Sequence, residues 1–460
     1  MPTCRALHRC AWGAAWVLAL AAGCMPDAAT DGRRVVTAPA PAAVRSFRLA
    51  APDVVLLVTG GTEGVLEVCN CQGPTPGGLP RRGGLVASYR AAFPNVLLVD
   101  LGNSLWIEPH DLRNDFLWNA YARMGYDAVV LGTHEWAVPG DRLRALLNGA
   151  DVTPLATTVA SPGVAPVRAV TRTWPEARVA VLADVRPAAL KFLPPARREQ
   201  IHVAAPDDLA RRVARAKRDG FVVVLLLHGP AEDVPAAAAL GPDLIVRGHT
   251  KRSIPEVMDA GGTPVVQVGG QADVGALAMT CEDGRITGLE YRVERAGTRW
   301  PIDGRVEAVY QRYARTAMAA ALDAPRMRGL DYVPSAECGR CHEKAHAAWR
   351  KSRHAHAWAT LVEADRTMDP KCVACHTTGF GTAKGFYTIE TTPGMANVNC
   401  QDCHRLTVDG HQKPGWRPEP ITADVCTRCH TSVTDPHFAF APRREALGCP
   451  SQTSSHAEER

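Results

Sequence analysis

No stretch of this chain offers the ~20 consecutive apolar residues that a bilayer-spanning helix needs; the longest run, Ala11–Ala22, has twelve. A transmembrane anchor is therefore not expected. Acidic residues are missing from positions 1–23, where Arg5 and Arg9 precede that run and small residues lead to Cys24. A basic start, a short apolar stretch and small residues are the marks of a secretory signal. A dominant charge is lacking as well. The formal net charge is +5 over 460 residues, and +3 once residues 1–23 are set aside, which excludes the basic footprint of a nucleic-acid binder.

What is present divides the chain by composition. Residues 24–51 are rich in Ala and Pro and have no period, as in a tether. Apolar runs then recur at Val54–Val58, Val96–Val99, Ala128–Leu131, Val179–Leu182, Val222–Leu227, Leu244–Val246 and Pro264–Val268. Helical patterns lie between several of them, at Leu85–Ala92, Asp115–Met124 and Asp207–Arg218. This alternation predicts a layered α/β (α+β) domain over 52–300. A helical linker over 301–332, centred on Val306–Leu322, leads to a small, mostly helical or irregular domain over 333–440 and a tail at 441–460. The first domain holds no 20–50-residue repeat.

The second domain has a short recurring motif, C-x-x-C-H, at 338–342, 372–376, 400–404 and 426–430. With 15 Cys and 16 His in the chain, chance placement gives about 0.02 copies. Two thiols three positions apart can each form a thioether to one haem vinyl group, and the next residue then lies under the iron as an axial ligand. The attachment residues are thus Cys338, Cys341, Cys372, Cys375, Cys400, Cys403, Cys426 and Cys429, with His342, His376, His404 and His430 as proximal ligands. Paired C-x-x-C motifs also build zinc ribbons, but a histidine after every pair in an exported chain points to four haems c. Their eight propionates would take the net charge from +3 to about −5 with ferrous irons. Five histidines of this region remain for the distal positions: His346, His354, His356, His411 and His437. Met368 and Met395 are the alternatives.

Three resemblances follow from these residues. CGRCHEKAHAAWRKSRHAHAW, with W-x-x-S-x-H-x-x-A after its C-x-x-C-H, resembles the cytochrome c-552/c-554 family of multihaem cytochromes over about 335–440. That likeness implies His354 as the foremost distal ligand and His411 as the next, although CHRLTVDGH replaces the family's CHGPG turn. LAAGC is similar to the bacterial lipobox, which implies cleavage before Cys24 and lipidation of its thiol. Over about 52–295, GGTEG 60–64, GN 102–103, GTHE 132–135, HG 228–229 and GHTK 248–251 resemble, in order, the metal loops of calcineurin-like metallophosphoesterases of the 5′-nucleotidase type. GGLPRRGGLVASYR is similar to another segment of that family.

Carried over residue by residue, the phosphoesterase likeness implies a degenerate site. Gly61 stands where the first-metal Asp belongs, Glu63 at its His, Lys251 at its later His, Asn103 at the bridging Asp and Thr133 at an Asn. His134, His228 and His249 persist. Two-metal hydrolysis needs a bridging carboxylate between paired cations, so catalysis is not expected; one divalent metal at His228, His249 and Asn103 remains open. Cys69 and Cys71 are a disulfide, a redox pair or a soft metal site, and Cys281 and Cys449 are unassigned.

The reading that follows is an exported, periplasmic or outer-membrane multihaem c-type cytochrome, anchored through Cys24, with a phosphoesterase-like scaffold. Its partner is a redox protein or a membrane quinol-linked donor or acceptor. The alternatives are a working phosphoesterase with a cytochrome attached, and a haem enzyme acting on small nitrogen compounds at an open iron.

Overall fold

Strands covered on both faces read as unbroken apolar runs, and Val54–Thr59 is one, buried along its whole length. The computed structural model describes residues 42–68, 75–108, 110–411, 413–414, 416 and 419–448; residues 1–41 with Cys24, as well as Cys69, Cys71 and Cys449, lie outside them. The described residues form a single packed unit.

Val54–Thr59 sits inside a six-stranded sheet of spatial order Arg285–Arg295, Asp273–Glu282, Val54–Thr59, Val96–Asp100, Ala128–Val130, Pro154–Leu155. Its last four strands are parallel to one another, and the first two pair antiparallel. A second six-stranded sheet runs Ile254–Ala260, Thr263–Gln267, Leu244–Arg247, Val222–His228, Arg178–Val185, Val170–Thr173, parallel at its centre and antiparallel at both edges. Every run expected to be a strand is one. The hairpin Asp273–Arg295 escapes sequence reading because its outer strand, RITGLEYRVER, is a half-exposed edge with no apolar run.

Alternation along the second sheet builds the layers. Val222, Val224 and Leu226 enter a large core shared with the first sheet, whereas Val223, Leu225 and Leu227 join a smaller core with Leu209 and Val213 of helix Pro206–Arg218. The first sheet is covered on its other side by helices Leu79–Ala92 and Arg113–Met124, through Leu85, Tyr89, Leu117 and Tyr121. The result is helix, sheet, sheet, helix. The loops that end the parallel strands Val54–Thr59, Val96–Asp100, Ala128–Val130, Val222–His228 and Leu244–Arg247 gather at one edge of this sandwich, where the candidate phosphoesterase loops lie.

Helix Gly304–Asp323, capped by the Asp303 carboxylate accepting the Arg305 N–H, is packed rather than free. It lies against Leu79–Ala92 and Arg113–Met124 on one side and the later helix Pro370–His376 on the other. Glycine makes the first approach possible: a Cβ on Gly84 would collide with the Pro301 carbonyl. At the far end Met318 joins Leu361, Val373, Phe386 and Met395 in a third, small core. Beyond Asp323 the described residues hold only short helices, turns and isolated bridges, and no helix among the described residues is long and apolar enough to cross a membrane.

Candidate functional site

The loop 60–64 is held in an uncommon backbone conformation. Gly61, Glu63, Asn103 and His249 all have left-handed φ values, 66°, 49°, 54° and 54°, a conformation that costs a non-glycine residue energy and persists only when its surroundings enforce it. Here three backbone bonds do so: Gly61, Glu63 and Gly64 donate to the carbonyls of Gly102, Asn103 and Ser104 at 3.0, 2.9 and 2.8 Å. Behind them the fully buried Glu135 carboxylate accepts the N–H groups of Asn103, Ser104, Leu105 and Gly132 and the Ser104 hydroxyl, all within 2.7–2.9 Å. Sequence reading passed over Glu135, whose role shows only once both loops converge on it.

The polar side chains around this frame make internal hydrogen bonds. His228 donates from Nδ1 to the Leu101 carbonyl at 2.8 Å, and its Nε2 accepts the Thr133 N–H at 3.2 Å. Burial, together with the adjacent His249 and His134, lowers its pKa to about 3, so the ring is neutral. Both nitrogens of His228 are thus engaged within the fold. Asn103 is likewise turned inward, its Oδ1 accepting the His134 N–H at 3.0 Å, while His134 Nδ1 bonds the Leu105 carbonyl. His249 lies 4.7 Å from His228, ring to ring, with a buried Nδ1 that has no partner; burial and then His134 lower its pKa. Lys251 is exposed beside them. Among the described residues no three His, Cys, Asp or Glu side chains converge as ligands of one metal ion. At Gly61 the space remains: a Cβ there would lie 3.6 Å from Gly270 N and 3.7 Å from Thr250 O, ordinary contact distances.

The second constellation is a continuous cavity of about 2700 Å³ lined by all twelve cysteines and histidines of the four C-x-x-C-H segments. A pocket for one small molecule measures ~300–1,000 Å³, so this void is of another order. Each segment sits at the end of a short helix: Ser335–Gly339, Pro370–His376, Cys400–Cys403 and Ala423–Thr427. Their packing brings the Cys338 thiol into hydrogen-bonding contact with Cys400, and Cys375 with Cys429. The C-x-x-C-H segments therefore fall into two neighbouring pairs, first with third and second with fourth, which the order of the motifs in the chain does not reveal.

The five spare histidines separate. The rings of His342 and His411 lie 6.2 Å apart between centroids, and those of His354 and His430 lie 6.1 Å apart. Burial, then His430 and His376, lowers the His354 pKa. His346 stacks on Trp349 at 5.4 Å. The exposed His356 turns Nε2 to the Arg350 carbonyl at 3.1 Å, and His437 is exposed and outside the cavity lining. Met368 and Met395 do not line the cavity either. His376 is oriented by the Ala357 carbonyl and the Thr360 hydroxyl, 2.8 and 3.2 Å from Nδ1. Among the described residues no second imidazole faces His376 or His404 in this way.

One side of the cavity reaches the first domain. Glu67 and Val68, from the loop after 60–64, line it, and Arg366 bonds both Glu307 at 2.9 Å and Glu67 at 3.4 Å while lying over the Tyr310 ring. Tyr310 in turn donates to Asp369 at 2.6 Å, the residue that caps helix Pro370–His376. No motif marks these residues in the sequence. Cys281, unassigned by the sequence, is a free, half-buried thiol whose pKa burial raises to about 11.

Comparison with known proteins fits both halves. Residues 337–405 match the family model for cytochrome c554 and c-prime, a span holding the first three C-x-x-C-H segments and not the fourth. The chain is similar to the sulfate thiohydrolase SoxB of Thermus thermophilus, with a TM-score of 0.52 and 18% identity over 61% of this chain and 63% of that one. It is also similar to a 5′-nucleotidase precursor from Thermus thermophilus, with a TM-score of 0.51 and 20% identity over 61% of this chain and 62% of that one. It thus spans less than two thirds of either structure, and identity at this level shows a shared fold alone. Among curated proteins none matches the chain. The chain joins a fold shared with SoxB and a 5′-nucleotidase precursor to a segment that matches the cytochrome c554 and c-prime family.

Proposed function

We propose that this is an exported electron-transfer protein that carries four covalent haems, with its phosphoesterase-like part retained as a scaffold without hydrolytic activity. The observation that carries the reading is the single cavity into which all four C-x-x-C-H segments open. In it, Cys338 and Cys341, Cys372 and Cys375, Cys400 and Cys403, and Cys426 and Cys429 would hold the haems by thioethers, with His342, His376, His404 and His430 as proximal ligands. A haem c supplies one-electron exchange at its iron; the rest is done by the chain, which holds, orients and walls off the four groups.

The facing imidazoles support a distal assignment. Metal–imidazole bonds of ~2.0 Å on both sides of one metal ion put ring centroids about 6 Å apart, the spacing of His342 with His411 and of His354 with His430. We assign His411 and His354 as the distal ligands of the first and fourth haems. Contact between Cys338 and Cys400, and between Cys375 and Cys429, favours passage of electrons within each pair. The division into a signal at 1–23, a tether at 24–51, the domains at 52–300 and 333–440, anchoring at Cys24 and a periplasmic or outer-membrane location belong to the same proposal. So does a redox protein or quinol-linked partner.

Loss of hydrolysis rests on the replaced ligands and on Thr133, whose N–H occupies the nitrogen of His228 that a metal needs. The test is the haem count. Expression with a c-type maturation system is expected to give an intact mass with four haems and a pyridine haemochrome of four per chain; two or fewer would overturn the reading.

A further inference from the structure

His430 differs from the other three proximal candidates in what holds its outer nitrogen. Its Nδ1 donates to Oδ2 of Asp435 at 2.9 Å, a carboxylate side chain only 2% exposed. Phe438 stacks on the same ring at 4.9 Å and 21°, so the imidazole is clamped on its edge and on its face. Arg443 approaches the same carboxylate oxygen at 3.6 Å from a half-exposed position. His376 gives the contrast, since its Nδ1 meets only a neutral carbonyl and a hydroxyl. Among the described residues no carboxylate bonds Nδ1 of His342, His376 or His404.

A metal-bound histidine that donates its second N–H to a carboxylate becomes a more basic ligand. Greater donation to iron, together with a fixed negative charge in a buried setting, favours Fe(III) over Fe(II). We infer that Asp435 is a potential-setting residue, holding the haem of residues 426–430 at a lower reduction potential than a neutral partner would, with Arg443 as the counterweight. This rests on the four-haem reading. The couple is one electron added to Fe(III) to give Fe(II), with no proton bound or released by the step. The carboxylate selects the haem bound at Cys426 and Cys429 as the member of the second pair that gives up its electron more readily, and so gives transfer between Cys429 and its neighbour Cys375 a direction.

Spectroelectrochemical titration of the full holoprotein, with low-temperature EPR to follow individual haems, tests this. Asp435→Asn is expected to raise one of four midpoints by at least a tenfold change in its reduced-to-oxidised ratio, ~59 mV for a one-electron couple. The haem that moves is the one whose EPR signal changes in His354→Ala. Arg443→Gln, at a half-exposed site that tolerates substitution, is expected to move the same midpoint downward. A merely structural role for Asp435 moves no single midpoint selectively and gives no opposite shift in Arg443→Gln. Should Asp435→Asn fail to retain its haem, the Arg443→Gln arm decides alone. Four haems with unmoved midpoints overturns the inference and leaves the four-haem reading standing, whereas two or fewer haems in the unmodified protein overturns both.

Discussion

The backbone N–H of Thr133 donates to Nε2 of His228 at 3.2 Å, so two residues 95 positions apart are tied within the buried core of the site. Asn103 offers a neutral amide where the likeness implies a bridging carboxylate, so two-metal hydrolysis is expected to lack the group that offsets the mutual repulsion of the ions. Assays of AMP and nitrophenyl phosphates with Mn²⁺, Zn²⁺ or Ca²⁺ are expected to show no metal-dependent turnover above background. The five-position variant Gly61→Asp, Glu63→His, Asn103→Asp, Thr133→Asn, Lys251→His is expected to bind divalent metal measurably tighter by calorimetry. Turnover in the ordinary enzymatic range of ~1–1000 per second in the unmodified protein, abolished by His134→Ala, would refute this.

His354 and His411 are expected to act one haem each. His354→Ala and His411→Ala should each convert a single haem from low-spin to high-spin iron, about a quarter of the total signal in EPR or resonance Raman spectra, because removal of one imidazole leaves the iron five-coordinate. His356→Ala and His437→Ala, at exposed positions, should leave the spin state unchanged. A spectral change in His437→Ala equal to that in His354→Ala contradicts the assignment.

Glu67 gives a pH signature to the contact between the two domains. Burial raises its pKa from the usual 4.5 to about 7, against the pull of the Val68 N–H and Arg366 and reinforced by Glu307. The folded state therefore keeps a proton that the unfolded chain has already released, and stability falls as pH rises from about 4.5 to about 7, then levels. At ~1.4 kcal/mol per unit of pKa difference the total is a few kcal/mol at most. Glu67→Gln is expected to flatten that part of the profile in urea unfolding of the holoprotein. Asp100, whose pKa burial also raises to about 7, contributes a parallel slope that the variant retains, so the difference between the two curves reports Glu67. Identical slopes would mean Glu67 does not hold its proton in the fold.

Anchoring through Cys24 is tested by fractionation. Cys24→Ser is expected to move the protein from the membrane pellet to the soluble fraction with loss of acyl mass. An unmodified chain that is already soluble and carries no acyl group contradicts the anchor.

Much of this protein was legible because local chemistry dictates local structure. Runs such as VVLLV and VVVLLL become central strands because both faces are covered, and C-x-x-C-H names its own use because thiols three apart match two vinyl groups. The proposal of a degenerate site at Gly61, Asn103 and Lys251 likewise starts from residue type alone, since a side chain without a carboxylate is visible in the sequence. The edge strand Arg285–Arg295 was not legible, because half-exposed pairing leaves charges where an apolar run would be the signal.

Only the tertiary structure decided how these parts face one another, because contacts between residues far apart in the chain leave no period in it. It set His411 opposite His342 and His354 opposite His430, and left His437 exposed outside the cavity lining. It grouped the four attachment sites as first with third and second with fourth through thiols 62 and 54 residues apart. It also closed Thr133 over His228, 95 residues away, and, among the described residues, set a buried carboxylate behind His430 and behind none of the other three C-x-x-C-H histidines. Sequence specifies which groups a chain owns; packing, which excludes water and fixes distance and direction, specifies which of them meet.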